Sequence, residues 1–218
     1  MVDIIMKRFW RSILLCLLIV NLWISLIPDS YYVMSDSAPQ LEDLKIVAVY
    51  GDLIVHNDTS VENTLLVVYG DIIIDEGKLD LINSSLVLVP SDDVSYLIVN
   101  NGSLNIYMSS VTAFTGGIVA SVFSDGSMRI INSTIENIGF SERNLCGILV
   151  YGKLVVRSSK LSGEYCLVRL NNASTVTIFN TMMICWGDYA VMVESSKNVS
   201  IIKNYIESDL LGVYISKR

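Results

Sequence analysis

Apolar residues in this chain fall on every second position within short runs, and the runs themselves recur. Residues 72–86 (Ile-Ile-Ile-Asp-Glu-Gly-Lys-Leu-Asp-Leu-Ile-Asn-Ser-Ser-Leu) align without gaps on residues 97–111. Four further copies follow, centred on Met128, Leu154, Val176 and Val199, which gives steps of 25, 24, 26, 22 and 23 residues from Leu79 onward. Two places after the central residue stands Leu81, Ile106, Ile130, Val156, Ile178 or Ile201; seven places after it stands Leu86, Val111, Ile135, Leu161, Met183 or Ile206. Apolar positions at 0, +2 and +7 spell a strand, a turn and a second strand. A helix would turn positions 0 and +2 to different faces.

A repeat of this length with strand periodicity is the signature of a solenoid. One coil cannot bury enough apolar surface to hold its own backbone, so the coils must stack. Five places after the central residue the chain carries Ser84, Ser109, Ser133, Ser159, Thr181 and Asn204, with Asn83, Asn132 and Asn180 just before some of them. Coils that rise by one strand spacing, about 4.8 Å, bring such residues into a column able to hydrogen-bond along the stack. Gly77, Gly102, Gly126 and Gly152 mark a second corner, where a positive φ is expected because no Cβ opposes it. Val49-Tyr-Gly-Asp-Leu53, Val68-Tyr-Gly-Asp-Ile72 and Val150-Tyr-Gly-Lys-Leu154 read as one recurring corner, the third with a short piece of coil missing. The first coil, around Leu53 to Val61, fits the pattern least well.

Three short strands per repeat, parallel stacking and polar corner columns resemble the pectate-lyase-like right-handed β-helix superfamily over about residues 44–215. The resemblance implies an all-β, single-stranded right-handed parallel β-helix of about seven coils. It implies little about activity, because the same scaffold carries lyases, glycosidases, adhesins and inert proteins.

The N-terminus departs from the repeat. Lys7, Arg8 and Arg11 precede an apolar stretch from Ile13 to Ile27 that ends at Pro28 and Asp29. A basic flank before about 15 apolar residues matches a secretory signal more closely than a membrane span, which needs about 20. Residues 1–30 are therefore expected to be a signal peptide, with an uncleaved anchor over residues 12–27 left open. Leu14 and Leu15 before Cys16 are not the small residues of a lipoprotein signal. Residues 31–43 read as a linker, with the Ser37-x-x-Gln40 spacing of a capping box that would form a short lid, and residues 44–218 as the β-helix. The segment from Gly212 to Arg218 begins another strand, so a C-terminal continuation, or a partner covering the open coil, is expected.

Charge narrows the partners. Residues 1–30 hold three basic and two acidic groups, and without them 12 basic and 20 acidic residues remain. Phosphate neutralisation asks for a basic stripe, so no nucleic acid is expected. Sequons at Asn57, Asn83, Asn101, Asn132, Asn172 and Asn198 suit a glycosylated, exported surface protein. Cys146, Cys166 and Cys185 recur at about one coil. An exported protein can keep a disulfide, yet three is odd, so at least one thiol is left over or bonds another chain; buried, stacked cysteines are the alternative.

Candidate chemistry gathers in the stretches between copies: residues 91–93, 115–117, 140–144, 163–165, 186–189 and 208–209, which should line one edge. That edge would collect Glu142, Arg143, Glu164, Tyr165, Trp186, Asp188 and Tyr189. Aromatic faces beside carboxylates and a guanidinium suit a sugar, whose C–H face packs on a ring while its hydroxyls take directional hydrogen bonds. Aromatics that merely fill loop bases are the plainer reading. Glu164 and Asp188, one coil apart, with Arg143 beside them, are the weak catalytic candidates. The Gly-His-Gly and Arg-x-Lys signatures of polygalacturonases are absent from the chain. His56 is the only histidine, so a multi-histidine metal site is excluded and a turn role is expected for it. No cofactor is implied, although Asp52 and Asp71 occupy matching positions and have the oxygens to share a calcium ion. The expected function is a secreted or cell-surface scaffold without catalysis, glycan-binding or part of a larger adhesin-like assembly, with a polysaccharide or envelope component as its partner. The alternative is a polysaccharide lyase or glycoside hydrolase.

Overall fold

A computed structural model describes residues 45–216. The expected signal or anchor, linker and capping-box lid fall on residues 1–43 and lie outside the described residues. What is described is a parallel β-solenoid of about seven coils, of the right-handed type. Each coil has three arms. The first arm is β3 (Thr59–Glu62), β6 (Lys78–Ile82), β9 (Ser103–Tyr107), β12 (Ser127–Ile131), β15 (Lys153–Arg157), β17 (Thr175–Phe179) and β19 (Val199–Ile202). The second is β1 (Lys45–Tyr50), β4 (Thr64–Tyr69), β7 (Ser85–Leu88), β10 (Ser110–Ala113), β13 (Thr134–Ile138), the first halves of β16 (Lys160–Asn171) and β18 (Met182–Glu194), and β20 (Tyr205–Ser208). The third is β2 (Leu53–Val55), β5 (Ile72–Ile74), β8 (Val94–Val99), β11 (Gly117–Val122), β14 (Ile148–Val150), the second halves of β16 and β18, and β21 (Leu211–Ser216). The first arm forms its own seven-stranded sheet. The other two join into a 14-stranded sheet, with β16 and β18 running unbroken from one arm to the other.

The apolar columns read from the repeat are register columns. Leu79 pairs with Leu104, Leu104 with Met128, Met128 with Leu154, Leu154 with Val176 and Val176 with Val199. The column seven places on, Leu86 to Ile206, pairs in the same way. Alternation puts these side chains inside, where those from Leu79 to Val176 are buried almost completely. The core is therefore a stack of aliphatic layers running along the described solenoid.

The bend from first to second arm is built alike in all seven coils. Asn63, Asn83, Met108, Asn132, Ser158, Asn180 and Lys203 all take the left-handed conformation, with φ between 48° and 56°. Asparagine is the non-glycine residue that enters this region most readily, which accounts for its recurrence here. The next residue, a buried Ser or Thr in most coils, turns its hydroxyl inward. The Ser84, Ser109, Ser133 and Ser159 hydroxyls each donate to the carbonyl two residues back, at 2.7–2.8 Å, and each accepts the backbone N–H of the equivalent residue one coil earlier, at 3.0–3.2 Å. The polar column thus bridges backbone to backbone between coils instead of linking side chain to side chain. Ser133→Ala is expected to leave the Ser109 N–H buried without an acceptor and to cost about 1–3 kcal/mol. Denaturant titration checks this, and an unmoved midpoint would mean that the amide finds another partner.

Two expectations about corners are corrected. Of Gly77, Gly102, Gly126 and Gly152, only Gly77 has a positive φ. The other three are needed for close approach: a Cβ on Gly102 would strike the Gly77 carbonyl, one on Gly126 the Val99 carbonyl, and one on Gly152 the Phe123 and Gly126 carbonyls. Nor do the three Val-Tyr-Gly segments form one corner. The first two join second arm to third, whereas Val150-Tyr-Gly-Lys153 joins third arm to first, with Val150 over Val122. No coil piece is missing; the likeness is local.

Candidate functional site

The corner between second and third arms is where the coils differ. It spans two residues, Gly51-Asp52 and Gly70-Asp71, in the first coils, then residues 89–93, 114–116 and 139–147. In β16 and β18 the corner straightens into continuous strand. Because the coils stack in register, the variable segments line one edge, as their spacing predicts.

Tight backbone stacking positions this edge. Gly116 (φ +66°) and Gly117 pass so close to Asp93 and Gly139 that no Cβ would fit. Within residues 139–147, a 3-10 turn at Ser141–Arg143 is closed by reciprocal Phe140–Leu145 backbone bonds of 2.9 and 3.0 Å. The turn projects Arg143 back toward an earlier coil, where its guanidinium donates to the Asp92 carbonyl at 3.1 Å and lies 3.7 and 4.0 Å from the Asp92 and Asp93 carboxylates. Its Cζ also sits 5.9 Å from the Phe140 ring centre. Arg143 is thus a strap across the corner, pointed away from Glu164 and Asp188.

Glu164 opposes Trp186 in register on the neighbouring coil. Its carboxylate accepts from the Ser141 hydroxyl at 2.5 Å and more weakly from the Ser141 N–H at 3.4 Å. Tyr165 forms a bulge (φ +61°), and Gly187 passes directly over its backbone, so Tyr165, Gly187 and Asp188 share the kink. Tyr189 pairs with Cys166 on one side and Leu211 on the other, its ring tilted against Tyr214 at 5.5 Å. Trp186 is 58% exposed, Glu142 is exposed, and Tyr165, Asp188 and Tyr189 are half-buried. The structure therefore gathers Glu164, Tyr165, Trp186, Asp188 and Tyr189 on two coils, with Glu142 in the turn on the coil before. Ser141 and Tyr214 are members that the sequence reading missed. Tyr214 sits in what reads only as an incipient strand, and Ser141 carries no pattern of its own.

Cys146 and Cys166 form a disulfide between neighbouring coils, with Cα atoms 4.6 Å apart. Cys185 is free and buried. Its near-coil spacing misleads, because it stacks over Gly163 while Tyr189 occupies the place over Cys166. Burial pushes the Cys185 thiol up to about 11, so it stays protonated and poorly nucleophilic at neutral pH.

Asp52 and Asp71 do stack, but each is engaged with backbone: Asp52 accepts the Asp71 N–H at 2.9 Å, and Asp71 the Tyr96 N–H at 2.8 Å. Among the described residues no group of three or more His, Cys, Asp or Glu side chains converges as a metal site. Burial, then the Asp52 and Asp92 charges, push the Asp71 carboxyl above its usual 3.8, against the lowering pull of the Tyr96 N–H. A raised folded-state pKa favours the protonated form, so this group's contribution is complete below about 3.8 and is lost as pH rises through its folded value. Asp71→Asn keeps the acceptor and removes the charge. It is expected to melt no lower than the parent at neutral pH, and to gain less on acidification just above pH 4. Melting curves across pH, with calcium or a chelator, check this; a calcium-dependent rise in Tm confined to the parent would restore the shared-ion reading.

All six sequon asparagines are exposed. His56 is exposed in the bend between β2 and β3. Among the described residues no helix is long and apolar enough to cross a membrane. The chain matches no family model, no curated protein and no solved structure.

Proposed function

We propose that this chain is a non-catalytic scaffold of the pectate-lyase-like β-helix type, working outside the cell or at its surface and presenting its variable corner to carbohydrate. The observation that carries the reading is the exposed Trp186 opposite Glu164 in register, with Tyr165 and Tyr189 on the same two paired strands and not on a loose loop. An indole face with carboxylate and phenol groups around it offers one apolar surface and several directional partners, which is what a sugar ring requires. Arg143 is held on Asp92 and directed away from Glu164 and Asp188, which supports a binding role over joint catalysis by the three. Export is favoured by the Cys146–Cys166 bridge and the exposed sequons.

The test is a glycan array probed with the parent, Trp186→Ala and Tyr189→Ala. Selective binding that falls about tenfold or more in the Trp186 variant is expected, the loss typical of an aromatic side chain that its ligand covers. No binding by the parent, or equal binding by all three, removes the proposal.

A further inference from the structure

All six sequons of the chain fall on two of the solenoid's three corners. Asn57, Asn101, Asn172 and Asn198 stand between third and first arms, ahead of β3, β9, β17 and β19. Asn83 and Asn132 stand in the bend between first and second arms, in its left-handed column. None lies at the variable corner between second and third arms, although asparagine is not scarce there. Asn137 and Asn144 lie at or beside that corner, but two places on the chain has Gly139 and Cys146, not the Ser or Thr that a sequon needs.

The geometry of the six suits a bulky attachment. All are exposed, and Asn83, Asn132, Asn172 and Asn198 have φ between 48° and 53°, so each is the turning residue of a tight bend. The Asn83 amide donates to Asn63 Oδ1 at 2.7 Å and the Asn198 amide to the Ser174 carbonyl at 3.4 Å. An amide nitrogen carries two hydrogens, and conjugation uses one, which leaves the other for that contact. Between the two sequon-bearing corners lies the outer face of the first-arm sheet, whose outward row is Asp80, Asn105, Arg129, Val155, Thr177 and Ser200. A mostly polar face needs no partner to cover it and is compatible with hydrated sugar chains lying over it.

We propose that the chain is N-glycosylated on one side: oligosaccharides rooted on both corners screen the first-arm face, and the corner that carries Trp186 stays bare. In each transfer the asparagine Nδ2 bonds to C1 of the first sugar. The bond from C1 to the phosphate of a polyprenyl-linked oligosaccharide donor breaks, the phosphate leaves with the electron pair, and the amide releases one proton. The inference rests on the export reading above, since sequons are acceptors in secreted proteins. It is independent of whether the Trp186 corner binds sugar.

The test uses the full chain purified from its own cells, the parent beside a Ser174→Ala, Ser200→Ala double variant. That variant removes the sequons of Asn172 and Asn198 and leaves both left-handed asparagines in place; thermal melts confirm its folding. Glycopeptide mass spectrometry reads occupancy, and bulky amine- and indole-reactive reagents read access to Lys153 and Trp186. Lys153 is exposed at the start of β15 and pairs with Thr175, which follows Asn172 at the same corner, with Asn198 one coil further on. Expected are glycans on both corners, Lys153 labelled several-fold more slowly in the parent than in the variant, and Trp186 labelled equally in the two. Glycans on one corner only, equal Lys153 rates, or Trp186 also slowed in the parent overturns the proposal. So does an unmodified chain: recovered outside the cell it leaves export standing, and recovered inside it removes export as well.

Discussion

Leu154→Ala is expected to destabilise the solenoid by about 2–5 kcal/mol, the range for removing a fully enclosed leucine from a core that cannot close around the gap. Leu154 is entirely buried between Met128 and Val176 in the middle of the first-arm sheet. Closing the cavity would require neighbouring coils to approach, and their spacing is fixed by backbone bonds such as Lys160 N–H to the Ser133 carbonyl at 2.9 Å. The same truncation at Val199, in β19, should cost distinctly less, since that side chain is smaller and only partly buried. Chemical denaturation of the two variants measures the contrast. Equal losses would mean that the aliphatic column is not the main source of cohesion.

Cys166→Ala, or reduction of the parent, is expected to cost about 2–4 kcal/mol, chiefly by freeing the unfolded chain. The bridge joins residues 20 apart on neighbouring coils, at the corner with the longest insertion. Residues 139–147 are also held there by the Phe140–Leu145 pair, by Arg143 on Asp92, by Ser141 on Glu164 and by Gly147 N–H donating to the Cys166 carbonyl at 2.8 Å. Melting with and without reductant should differ in the parent and in Cys185→Ala, and coincide in Cys166→Ala. Alkylation of Cys146 and Cys166 in the native, unreduced protein would contradict the pairing.

The first-arm strands and the start of the second arm were legible in the sequence, because burial at 0, +2 and +7 selects aliphatic residues and the bend that follows admits few side chains. Legibility failed where one motif serves two geometries. Val-Tyr-Gly appears at two different corners, since a strand end followed by a small residue suits either turn. Glycine was read for φ when Gly102, Gly126 and Gly152 answer instead to the carbonyl overhead, a constraint from the next coil that leaves no local trace. Met108 takes the same left-handed bend as its asparagine counterparts with no propensity to announce it. At the corner, the row of variable segments was readable from spacing alone. Which side chains meet was not, because the Tyr165 bulge shifts the register between Glu164 and Cys166 and so decides that Tyr189, not Cys185, stands over Cys166.

The serine bridges give the stack a direction. In each pair the hydroxyl belongs to the later coil and the amide to the earlier one, so a newly made turn carries an unmet donor that only its successor in the sequence can satisfy. A chain emerging from its N-terminus would thus add coils like courses of brick, each finishing the joint left by the one beneath it.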